Sequence, residues 1–210
     1  MQNKPLMTAD IESLIATALE EDLQSGDITT RNIISPGRLC EAELVAKEAL
    51  ILSGMEIFKA LFLKLDSKTK FISEPFQDGD SVTKGSTVIK FQCDNVKALE
   101  GERSGLNILQ WLSGIATLTR KFVDQAHPVA VLDTRKTTPG LRVFEKYAVS
   151  CGGGSNHRFG LYDAVMIKDN HISAEESLKD LVKKAIKTKK IVTVEIENFK
   201  QLNQVLGLKF

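Results

Sequence analysis

Residues Asp133 to His171 read DTRKTTPGLRVFEKYAVSCGGGSNHRFGLYDAVMIKDNH. Two apolar runs feed into charge. Val129-Ala130-Val131-Leu132 leads into Asp133, Arg135 and Lys136, and Ala164-Val165-Met166-Ile167 leads into Lys168, Asp169, Asn170 and His171. Between them lie Gly152-Gly153-Gly154 and Ser155-Asn156-His157-Arg158. Short apolar runs bounded by turn signals suit buried parallel strands. The carboxyl ends of such strands are where α/β folds place their chemistry. Arg135, Lys136, Arg158 and Lys168 are thus expected to converge on a polyanion.

Bulk properties narrow the field. The chain has 210 residues, enough for one large domain or two small ones. A composition of 42% hydrophobic and 26% charged residues is that of a soluble globular protein. The formal net charge of +1 gives no global field for nucleic acid or membrane, so an anion must be held by a local cluster. Cys40, Cys93 and Cys151 are far apart in sequence and form no C-x-x-C pair, which predicts reduced thiols and argues against zinc. No apolar leader follows Met1 and no membrane-length apolar run exists, so a cytoplasmic protein is expected.

Outward from the centre, residues 8–23 are expected to form an amphipathic helix capped by Thr8 or Asp10, with Ile11, Leu14, Ile15, Ala18 and Leu19 on one stripe. A turn follows at Ser25-Gly26-Asp27. Residues 41–92 alternate like strands, interrupted by a helix from Gly54 to Lys64. Asp78 to Gly85 reads as paired turns and is similar to a word of the biotinyl and lipoyl carrier domains. Lys84 lacks the flanking signature of a swinging-arm lysine, so only the sandwich shape is carried forward. Asn95 to about Ala126 is expected as one long helix capped by Asp94, with Leu99, Leu106, Leu109, Leu112, Ile115 and Leu118 at helical spacing. Gly101, Gly105 and Gly114 would permit close helix approach.

From Val129 onward, strands are expected at 129–134, 163–168 and 191–197, with helices at 139–150, 174–188 and 198–206. That alternation means βα units on a parallel sheet. Pro139 suits a first helical turn, and Ser173 with Glu176 reads as a capping box. Thr193, Glu195 and Glu197 share one strand face, and carboxylates on a buried face are costly unless paired. Arg135, Lys136, Arg142, Lys146, Arg158 and Lys168 outnumber Asp133, Glu145, Asp163 and Asp169, leaving positive charge for an external anion. Arginine grips carboxylate or phosphate by paired hydrogen bonds, and lysine adds a point charge.

Three words carry a resemblance: Asp133 to Gly140, Gly152-Gly153-Gly154 with Asn156-His157-Arg158, and Asp163-Ala164-Val165 through Lys168-Asp169-Asn170-His171. In order and spacing the chain resembles the quinolinate phosphoribosyltransferases, with weaker echoes from about residue 8 to about residue 202. The resemblance implies an N-terminal α/β-sandwich (barrel-sandwich-like) domain over 1–114 and an incomplete TIM-like α/β barrel over 115–210. It implies a decarboxylating pentosyltransferase of de novo NAD biosynthesis. Such an enzyme converts quinolinate and phosphoribosyl pyrophosphate to nicotinate mononucleotide, pyrophosphate and carbon dioxide, with Mg²⁺. By motif, Arg103, Arg135, Lys136, His157, Arg158, Lys168 and Glu197 would bind the substrates. Lys136, Lys168 and Glu197 would be catalytic, with Glu197 facing the ribose hydroxyls and the metal. No residue is assigned as a metal ligand. Arg103 would reach a neighbouring subunit's site, implying a homodimer or higher homo-oligomer.

The family pattern continues past the position of Gln204-Val205-Leu206-Gly207 with strands carrying an Asp for ribose and metal and a Ser-Gly-Gly type phosphate loop. A closed barrel usually needs about 250 residues. The expectation is therefore a C-terminally shortened chain with an open edge after the 191–197 strand and little turnover alone. The alternatives are an inactive remnant or interaction protein, or a relative of the molybdenum-transport-associated type with another substrate.

Overall fold

A computed structural model describes residues 6–174 and 177–209. The chain divides into two compact units, Met1–His157 and Arg158–Phe210, each with its own core.

In the first unit, residues of alternating polarity make the strands. β1 (Leu39–Val45) alternates exposed and covered positions, as expected of a strand with one face on the core. β5 (Thr87–Asp94) pairs antiparallel with both β1 and β3 (Lys70–Ser73), giving the order β1-β5-β3. β2 (Leu50–Ile51) and β4 (Ser81–Val82) form a separate antiparallel ribbon. The expected helix at 54–64 is α3 (Met55–Leu65), entered through Gly54 at a φ of 103° that favours glycine. Phe58, Phe62 and Phe91 stack in the core, with ring centroids 4.6–5.8 Å apart. The Asp78 turn serves structure. Its carboxylate accepts from Gly54 N and Met55 N, both at 2.9 Å, and caps α3.

α1 (Thr8–Leu23) lays Ile15 into this core, with Ile11, Leu14, Ala18 and Leu19 beside it. Neither Thr8 nor Asp10 caps it. Both lie inside the first turn, and Met7 holds the cap position without a side-chain bond. Asp27 instead caps a short helix not expected from sequence, α2 (Ile28–Ile33), accepting from Thr30 N at 2.9 Å.

α4 (Asn95–Ala126) spans the unit. Asp94 caps it as expected, accepting from Val96 N and Lys97 N. At Gly101, a Cβ would meet Leu65 at 2.7 Å and Phe62 at 2.9 Å, so the missing side chain lets α3 approach. Gly105 faces Phe58 in the same way, whereas Gly114 faces open space. Leu109 and Leu112 are buried, but Leu99 and Leu118 are exposed and fall off the core stripe.

The expected strand at 129–134 is reduced to one parallel bridge, Leu132 to Ser155, because no longer partner runs beside it among the described residues. Pro139 does not start a helix. Thr138 to Leu141 closes a turn with Gly140 at φ +81°, the pattern of Pro followed by Gly in a type II turn. α5 (Arg142–Cys151) begins after it and packs on α4.

The second unit holds β6 (Val165–Ile167) and β7 (Val192–Val194), paired parallel as expected. α6 (Asp169–Ala174), α7 (Leu178–Ile186) and α8 (Phe199–Val205) complete it. Ile167, Leu178, Val182, Ala185 and Val205 form its core. Ser173 lies inside α6 rather than capping a helix, and Glu176 lies outside the described residues. Ser177 caps α7, accepting from Asp180 N at 3.3 Å. No described helix is long and apolar enough to cross a membrane.

Candidate active site

In the first unit the site is built on Asp133. Its Oδ1 accepts from Lys146 Nζ at 2.5 Å and from His157 N at 2.8 Å, and its Oδ2 accepts from Asn156 Nδ2 at 2.8 Å. Lys146 Nζ also donates to the His157 carbonyl at 3.0 Å, and Asn156 Nδ2 to the Lys146 carbonyl at 2.8 Å. The Lys146 side chain is wholly buried and that of Asp133 nearly so. Buried charges persist when paired and hydrogen-bonded. Lys146 therefore does not belong to the surplus of cations expected to face an external anion, since Asp133 neutralises it from within. Arg142 is also engaged, donating from Nε to Thr137 Oγ1 at 3.0 Å.

The 133–138 loop is fastened at its other end as well. Thr138 donates to the Glu145 carboxylate from N at 3.1 Å and from Oγ1 at 2.7 Å. Consecutive residues of α5, Glu145 and Lys146, thus hold the two ends of the loop. Arg135 and Lys136 stand between the anchors. Lys136 is exposed. Arg135 is half-buried, and its Nε is buried with no hydrogen-bond partner among the described residues. Buried polar atoms nearly always have a partner. A guanidinium N–H in this setting suits an anionic ligand group.

His157 is half-buried, with its backbone clamped by Asp133 and Lys146. Arg103 is exposed on α4 and makes no ion pair among the described residues. Arg120, which the sequence reading did not single out, repeats the Arg135 signal. Its Nε is buried without a partner among the described residues, and its guanidinium lies 3.5 Å from where a Gly153 Cβ would stand. Only its place on α4 opposite the glycine run could have pointed to it.

In the second unit, Lys168 and Glu195 follow the two parallel strands and meet as an ion pair at 3.3 Å. The expectation of carboxylates on a buried inner face is corrected: Glu195 and Glu197 are both exposed. The Glu197 carboxylate has no partner among the described residues, while its backbone N donates to Gln201 Oε1 at 2.7 Å. Arg158 is buried and donates to the Ala164 carbonyl at 3.3 Å. Asp163 caps the turn before β6, accepting from Phe159 N at 2.7 Å.

Among the described residues no three His, Cys, Asp or Glu side chains gather to hold a metal. A cleft of about 560 Å³ lined by Glu56, Glu74, Asp78 and Asp80 is acidic and suits no anion.

The first unit thus presents a basic loop held by a buried ion pair, and the second presents charged residues after a parallel strand pair, in a mixed α/β protein. Residues 27–113 match the quinolinate phosphoribosyl transferase N-terminal domain, and residues 115–209 match its C-terminal domain. A probable nicotinate-nucleotide pyrophosphorylase [carboxylating] of Bacillus subtilis is 45% identical over 192 residues, covering 89% of this chain and 66% of that protein. A quinolinate phosphoribosyltransferase [decarboxylating] 2a, mitochondrial, of Nicotiana tabacum is 41% identical over 195 residues, covering 90% of this chain and 55% of that protein. The crystal structure of NadC from Streptococcus pyogenes superposes with a TM-score of 0.89 at 40% identity, covering 94% of this chain and 72% of that one. The chain belongs to the quinolinate phosphoribosyltransferase family. It spans less than two thirds of the length of the first curated relatives it matches.

Proposed function

We propose that this protein joins quinolinate to phosphoribosyl pyrophosphate, yielding nicotinate mononucleotide, pyrophosphate and carbon dioxide in de novo NAD biosynthesis. The observation that carries the reading is Arg135, whose buried Nε has no acceptor among the described residues, in a loop fixed at both ends. Family membership supplies the substrates. On this reading an N-terminal sandwich domain spans 1–114 and a barrel-type domain 115–210.

Arg135, Lys136, His157, Arg158 and Lys168 would bind carboxylate and phosphate groups, and Lys136 and Lys168 would stabilise charge leaving with pyrophosphate. Glu197 would stabilise the oxocarbenium-like ribosyl centre. The pyridine nitrogen attacks that centre. Its new positive charge then stabilises the carbanion left when the adjacent carboxylate departs as carbon dioxide, and a proton taken up from water at that carbon completes the product. No protein nucleophile is needed. Mg²⁺, when bound with the diphosphate, supplies positive charge there, and Glu197 is the carboxylate that would face it. Arg103, exposed on α4, would enter a neighbour's site in a homo-oligomer.

The test is calorimetric binding of quinolinate and phosphoribosyl pyrophosphate to the folded chain, with nicotinate mononucleotide formation followed in parallel in the presence of Mg²⁺. Saturable quinolinate binding that weakens in Arg135→Ala is the expected result. A folded chain that binds neither compound overturns the reading.

A further inference from the structure

β1 and β5 place Cys40 directly opposite Cys93. Opposed residues of an antiparallel pair share a face. Here it is the core face, with Cys93 fully buried and Cys40 partly covered beside it. Sequence separation conceals this pair, and only the strand register reveals it.

The register also says what a bond here would be like. Asn95 N donates to the Arg38 carbonyl at 2.8 Å. Ladder positions alternate, so Cys40 and Cys93, two residues inward on each strand, occupy a hydrogen-bonded position. Such pairs have Cα atoms about 5.5 Å apart, within the range of about 4.4–6.8 Å that a disulfide spans. Their Cβ atoms lie toward the upper end of about 4.5–5.5 Å, whereas a disulfide draws them to about 3.8 Å. The bond can therefore close without dismantling the sheet, but under strain, and strained disulfides are the readily reduced ones.

We propose that Cys40 and Cys93 are a redox modification site that closes to an intrachain disulfide with a hydroperoxide and reopens with a dithiol. Cys40, the more accessible sulfur, attacks the peroxide. The O–O bond breaks, Cys40 becomes a sulfenic acid, and one alcohol or water leaves. The Cys93 sulfur then attacks Cys40. The S–S bond forms, the S–O bond breaks, and hydroxide leaves with the Cys93 proton as water. Two thiols lose two electrons and the peroxide gains them. Burial and the neighbouring Cys40 push the Cys93 thiol up to about 12, which keeps it protonated and inert until a sulfenic acid forms next to it. The Asp94 carboxylate, next in sequence to Cys93, accepts from Gly37 N at 2.6 Å and from the first turn of α4. Closure thus acts at the root of the helix that carries Arg103.

The experiment is titration of the reduced chain with hydrogen peroxide, followed by denaturing thiol counting and intact and peptide mass spectrometry. The expected result is a fall from three free thiols to one. Two hydrogens should be lost, the Cys40 and Cys93 peptides linked, Cys151 still alkylated, and all of it reversed by dithiothreitol. Cys40→Ser and Cys93→Ser should each abolish the link. Three thiols persisting, oxygen added to Cys40 without a link, or a link through Cys151 or between chains would each overturn the proposal. The wild-type measurement stands alone if a variant fails to fold.

Discussion

Lys146 Nζ lies 2.5 Å from Asp133 Oδ1, with the lysine side chain wholly removed from solvent. A charged amine at that depth is tolerable because one carboxylate oxygen and the His157 carbonyl both accept from it. The pair joins α5 to the segment that presents Arg135 and Lys136.

Lys146→Met is expected to strand the Asp133 carboxylate. Removing one partner of a buried ion pair costs about 3–5 kcal/mol. Urea unfolding should show a loss of that order, and Lys146→Met with Asp133→Leu together should recover part of it. A Lys146→Met chain as stable as the parent would contradict the pairing.

Arg135→Ala should leave stability within about 0.5 kcal/mol of the parent, since the Arg135 side chain makes no hydrogen bond or ion pair among the described residues. Quinolinate affinity should fall by about 1.5–3 kcal/mol, roughly tenfold to a hundredfold. Calorimetry reads the affinity and chemical denaturation the stability. Unchanged affinity would remove Arg135 from the site.

Gly152 touches α4 through its missing side chain. A Cβ there would lie 2.5 Å from the Ala116 carbonyl oxygen and 2.6 Å from Thr119 Cβ. Neither can yield as the tip of a flexible side chain would. Gly152→Ala is expected to cost about 1–3 kcal/mol by overpacking, read as a lower midpoint in thermal or urea unfolding. A neutral result would mean that the α4–α5 contact is looser than the structure shows.

Glu100 is buried between Arg31 Nε at 2.7 Å and Lys97 Nζ at 2.6 Å. Burial alone pushes its carboxyl up, but the hydrogen bonds from Lys97 and Arg31 together outweigh burial and hold it below its ordinary 4.5. A depressed folded value gives stability that is present above the unfolded value and lost as pH falls through the folded one. The stability gap between the parent and Glu100→Gln should therefore be widest at neutral pH and narrow toward about pH 3. Urea midpoints at the two pH values measure it, and a gap independent of pH would count against the assignment.

Local signals were the legible ones. Asp94 followed by a 3.6-residue apolar repeat marks α4 and its cap, because both cause and effect lie within one turn. Alternation marks β1 for the same reason. The carboxyl-end location of Lys168 and Glu195 was also readable, since parallel strands deliver such residues side by side. What depends on partners was not readable. Val129-Ala130-Val131-Leu132 has strand composition, yet Ser155 alone pairs with it. Lys146 looks like a surface cation until Asp133 is brought to it by the Gly152–Gly154 turn. Glu195 and Glu197 were expected on a strand reaching 197, but β7 ends at Val194 and both carboxylates face solvent beyond it. Cys40 and Cys93 become a pair only through register.

At Gly152, α5 and α4 are separated by little more than backbone thickness, so the helix carrying Arg103 and the loop carrying Arg135 form one stiff lever. In the proposed oligomer, that lever has one end in its own subunit's site and the other in a neighbour's. Tightening of the loop around a ligand would shift α4 and be felt next door. Occupancy of the two sites would then be thermodynamically linked, each filling altering the other's affinity by the same factor.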